Sequence, residues 1–172
     1  MKSIRCFVIA FCFLGLMACN KNEEEPLQNV EVENYIALLV KGEFTAMDLP
    51  VFTEADIPKL LTYRNKTEKI TNFPRNMISS YMNKECSLGM YVLWTIESIR
   101  AVAIDSEYLI GRFPSQNPVV KERSGGFDLV PEEDAHPIVA QAYLEWWQNN
   151  QGRSFEEFKV ADPLLDTGLS WH

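Results

Sequence analysis

Glu97 and Arg100 stand three residues apart inside Leu88–Ala103 and are the only charges in that run. A carboxylate in apolar surroundings favours its protonated form, the form a general acid needs. Facing a second carboxylate across a cleft, it would suit a glycan or cell-wall hydrolase. The spacing equally makes an intrahelical ion pair, the simpler account, and no second acid is identifiable. No catalytic residue is therefore assigned.

Tryptophan offers a different chemistry. Trp94, Trp146, Trp147 and Trp171 are spread along the chain, and Trp146 and Trp147 are adjacent. On a helix they point about 100° apart, so both are not expected in the core, and either is a candidate platform for a sugar ring or partner protein. Core or rim packing is the competing account. Glu132, Glu133, Asp134 and His136 form an acidic group for a hard cation, but acids bunched before a helix are explained by the helix dipole. His136 and His172 are the only histidines, and phosphate-cradling loops, paired-cysteine metal spacings and nucleophile elbows are missing. No metal and no cofactor is expected.

The first nineteen residues concern location. A basic Met1–Arg5 start, an apolar run from Cys6 to Leu16 and Leu16-Met17-Ala18-Cys19 resemble a lipoprotein signal. The apolar run is about half the roughly 20 residues a spanning helix needs. Residues 1–18 are read as signal peptide, Cys19 as the lipidated first mature residue, and 19–29 as a flexible acidic tether. Acyl chains on Cys19, such as palmitate, would anchor the chain to a membrane, since two or more hold stably. Residues Glu23–Glu25 resemble the signal that sends lipoproteins of Bacteroidetes-type bacteria to the cell surface; an ordinary acidic linker is the alternative. The expected address is the outer membrane, on its periplasmic or outer face.

The whole chain carries 16 basic and 24 acidic residues; loss of Lys2 and Arg5 leaves 14 against 24, a net charge of −10. That is a poor footprint for nucleic acid. Cys6 and Cys12 leave with the signal and Cys19 is acylated, so Cys86 remains as a lone thiol, expected to be buried rather than reactive.

Residues 30–172 fit one domain. Val32, Tyr35, Ile36 and Leu39 give a helical face that Gly42 stops. Thr53 and Asp56 resemble a capping box, with a helix through Leu61 to about Asn65. Met77, Ile78, Tyr81 and Met82 suggest another short helix. Leu88–Ala103 is apolar around more than half its circumference and is expected to be central. Residues 111–130 are read mainly as a long loop in which Val119 and Val120 add at most one short strand. Helix returns from about Pro137 to Asn150, and Ser154 with Glu157 caps a last one. The predicted fold is all-α, a bundle of four to six helices.

Asp56-Ile57-Pro58-x-Leu60-Leu61-x-Tyr63-Arg64-Asn65, Phe73-Pro74-Arg75-Asn76, Leu93–Arg100 and Asp162-Pro163-Leu164-Leu165 with Trp171-His172 resemble segments of a family of small uncharacterised lipoproteins from Bacteroidetes. The resemblance covers about Tyr35 to His172 and implies a single-domain architecture and a membrane address. It implies no catalytic or ligand residue. The expected function is a non-enzymatic binding module for a protein or glycan at the outer membrane. The alternatives are a hydrolase using Glu97 and an acidic inhibitor or immunity-like protein that caps a basic partner.

Overall fold

A computed structural model describes residues 30–79, 81, 84–126 and 128–172. The signal peptide, Cys19, the tether and Met82 lie outside the described residues. Helix α3, Leu88–Ala103, is buried without a break from Leu88 to Ala101. A helix apolar all round has nowhere to sit but the middle, and α2 (Ile57–Leu61) and α4 (Glu132–Asn149) pack against it. Ser87 caps it by accepting a hydrogen bond from the Met90 backbone N–H at 3.3 Å. Helix α1, Val32–Lys41, buries Val32, Tyr35, Ile36 and Leu39 and ends at Gly42, whose φ of +69° is the left-handed cap glycine adopts without strain. Tyr35 meets the rings of Phe44 and Phe52 edge-on and bonds Thr95 of α3 at 3.0 Å.

The all-α expectation is overturned. Among the described residues five α-helices stand with two small antiparallel sheets, a mixed α/β architecture. Strand β1 (Lys69–Ile70) pairs with β2 (Cys86–Ser87), Ile70 opposite Cys86. Strand β3 (Val120–Glu122) pairs with β4 (Leu169–Trp171), Val120 opposite Trp171 and Lys121 opposite Ser170. Two or three residues are too few to show the period-two alternation by which a strand is recognised. Val120 does begin the strand suggested there, but it needs a partner from the far end of the chain.

Three helix expectations also differ, the first because α2 ends at Leu61 and not near Asn65. Helix α4 begins at Glu132, before Pro137, so Glu132, Glu133 and Asp134 form its first turn rather than a preceding cluster. Met77 and Ile78 lie in a turn and are exposed. The capping boxes at Thr53 and Ser154 are both formed, the second starting α5, Phe155–Phe158. No helix of the described residues is long and apolar enough to cross a membrane.

Candidate functional site

Glu97 and Arg100 meet on the C-terminal half of α3, with side chains 8% and 11% exposed. Arg100 donates Nη2 to Glu97 Oε1 at 2.5 Å and Nε to Oε2 at 3.0 Å, and its Nη1 reaches the Lys159 carbonyl at 3.2 Å. The Tyr143 hydroxyl donates to Glu97 Oε2 at 2.5 Å and accepts from Trp171 Nε1 at 2.8 Å. Four residues from α3, α4 and β4 thus form one continuous network. Burial alone would lower the Arg100 pKa; the Glu97 carboxylate overrides it and holds the guanidinium above its ordinary range. Burial, then the charge of Glu97, pushes the Tyr143 phenol well up, so it stays protonated and donates.

Glu97, Arg100 and Trp171 of this network line a cavity of about 480 Å³. The β3–β4 pair brings Lys121, Arg123, Ser170 and His172 to its wall, and Tyr108, Ser106 and Gln116 come from the loop before β3. Arg123 donates Nη2 to Asp162 Oδ2 at 2.6 Å, while Asp162 Oδ1 accepts the Leu164 N–H at 2.8 Å. His172 is gripped by its main chain, its N–H on the Val119 carbonyl and its oxygen accepting from Gln116 and Asn117 N–H. With the Asn117 amide oxygen turned to the ring it accepts from His172 Nδ1 at 3.1 Å, which fixes the Nδ1–H tautomer and leaves Nε2 an acceptor. Burial and the Lys121 ammonium lower the His172 pKa and favour this neutral form.

Both oxygens of Glu97 take hydrogen bonds from within the chain, and the other carboxylate on the cavity wall, Asp162, is paired with Arg123.

Trp146 and Trp147 are not on this wall. Trp146 is buried among the rings of Tyr143, Phe155 and Phe158, its indole Nε1 without a polar partner. Trp147 is half-buried and lines a second cavity of about 220 Å³ with Asn150, Arg153, Phe155 and Phe158. Glu132 accepts hydrogen bonds from Lys69 Nζ at 2.8 Å and the Ser87 N–H at 3.1 Å. His136 turns inward to the Arg64 carbonyl at 2.7 Å and to Ser87 Oγ at 3.4 Å. No three His, Cys, Asp or Glu side chains of the described residues converge on a metal position. Tyr143, Trp171, Lys121, Arg123 and Asp162 were not legible as site residues, because strand pairing and helix packing assemble them and no local spacing marks them.

No curated protein and no solved structure matches the chain. A family model, a domain of unknown function (DUF4943), matches residues 26–172, and the chain belongs to that family.

Proposed function

We propose that the chain is a non-enzymatic binding module, held at the outer membrane by lipid on Cys19, that takes a small polar ligand in the cavity over the Glu97–Arg100 pair. The observation that carries the binding reading is the saturation of Glu97: a carboxylate whose two oxygens are spent on Arg100 and Tyr143 gives a rigid floor, not a poised acid. The cavity volume lies within the roughly 300–1,000 Å³ of ligand-holding clefts. The test compares the native chain with Ser170→Trp, which fills the cavity, on glycan and peptide arrays. A ligand kept by the native chain and lost by the filled variant supports the reading; identical profiles overturn it. For the anchor, Cys19→Ser should move the protein from the membrane to the soluble fraction, and a variant that stays with membranes overturns the lipid attachment.

One observation favours the hydrolase alternative. Asp162 shares the cavity with Glu97 and would be the second acid. Glycan cleavage by the native chain, abolished in both Glu97→Gln and Asp162→Asn, would put this reading first.

A further inference from the structure

The wall of this cavity carries more cationic than anionic side chains in a chain that is acidic, with Arg100 paired to Glu97 and Arg123 to Asp162. The chain has 24 acids to 16 Lys and Arg, yet Arg100, Lys121 and Arg123 line the cavity against Glu97 and Asp162. The ladder explains the grouping. Alternate residues of a strand share a face, Lys121 lies opposite Ser170, and the Arg123 N–H bonds the Gly168 carbonyl, so Lys121, Arg123, Ser170 and His172 are gathered along one pair of strands. Arg123 is partly exposed and gives Nη2 to Asp162, and a guanidinium with five N–H donors has the capacity for a second carboxylate. Beside it stand the Ser170 hydroxyl, the Gln116 amide, the acceptor Nε2 of His172 and, at the rim, the 69% exposed ring of Tyr108.

A carboxylate receptor flanked by hydroxyl-binding groups and an aromatic face matches a ring that bears one carboxylate and several hydroxyls. We infer that the ligand is an acidic saccharide, a uronic acid unit whose carboxylate is held by Arg123 and Lys121 while its hydroxyls meet Ser170, Gln116 and His172. This rests on the cavity being the binding site. It carries an unusual sign: Asp162 is the internal rival for Arg123, so removing an acid strengthens binding.

The test titrates the full chain in detergent with digalacturonate, its neutral dimethyl ester and acetate, by calorimetry and by the NMR signal of the Trp171 indole N–H. The expected result is that digalacturonate binds and shifts Trp171, and that the ester and acetate bind at least about tenfold more weakly, as loss of a charge-assisted bond implies. Arg123→Gln is expected to weaken digalacturonate by a similar factor and Asp162→Asn to tighten it, with Lys121→Gln as a second weakening variant should Arg123→Gln fail to fold. Ester binding as tight as the acid, with Trp171 shifted, overturns the acidic assignment and leaves a sugar-binding cavity. Acetate binding as tight overturns the saccharide. Absence of any Trp171 shift with digalacturonate also overturns the inference, whereas the cavity reading itself falls only if no ligand on the arrays distinguishes the native chain from Ser170→Trp.

Discussion

Removing one partner of the Glu97–Arg100 pair leaves the other as a buried charge without compensation, and that loss costs about 3–5 kcal/mol, whereas replacing both by apolar groups of similar volume is often neutral. Glu97→Ala is therefore expected to lower unfolding free energy by about that amount, and Glu97→Leu with Arg100→Met to recover most of it. Chemical denaturation of the single and double variants measures this; additive losses would show that the pair is not coupled. A second prediction concerns Cys86, fully buried in β2. Burial, then the charge of Glu132, pushes its thiol well above the ordinary range, so the thiolate that alkylating reagents need is scarce. Iodoacetamide should label Cys86 only under denaturing conditions, and rapid labelling of the native chain would contradict this. The burial of Cys86 and the Glu97–Arg100 contact were legible because each follows from residue type or spacing within one segment. The Tyr143 and Trp171 hydrogen bonds were not, because an apolar helix face and a terminal tryptophan look the same whether they fill a core or orient a carboxylate.

At the scale of elements, the approach of α3 to α4 depends on a missing side chain. A Cβ at Gly89 would lie 2.4 Å from His136 Nε2 and 2.5 Å from the Arg64 carbonyl, and the second of these is backbone and cannot step aside. Gly89→Ala is expected to cost about 1–3 kcal/mol, the range for overpacking a full core, and an unchanged melting temperature would refute the contact. Trp146→Ala should cost about 3–5 kcal/mol, as for other buried large rings, and Trp147→Ala less, since its ring is only half-buried; equal losses would place both in the core. Helix α5 adds a pH dependence. The Ser154 N–H and hydroxyl bond the Glu157 carboxylate and lower its pKa. A lowered folded-state pKa gives stability that is present above the unfolded value, near 4.3, and lost as pH falls through the lower folded one. The protection factor of the residue 157 amide, its exchange rate relative to an unstructured amide at the same pH, should therefore fall on acidification below about pH 4 in the native chain but not in Glu157→Gln. Both capping boxes were readable because a cap is a four-residue pattern. The start of α4 is hidden in the sequence because a proline suits a first turn, whereas Pro137 lies inside the helix.

For the whole molecule, the class of fold was misread for one physical reason: helices announce themselves within a segment, and sheets of two or three residues only through their partners. Strand β3 looks like loop until β4 arrives from 51 residues away, Val120 against Trp171. The same pairing builds the cavity wall, so fold class and site were hidden together. The long reach of this pair also bears on when the molecule can form. Residues 120–122 bridge locally to 128–130 through Lys121 and Leu129, but the strand Leu169–Trp171, and with it the indole donor to the Tyr143 hydroxyl, is added only after Trp171 has been synthesised. Helix α3 can gather its neighbours while the chain is still emerging, but the module cannot close its cavity until this last strand docks.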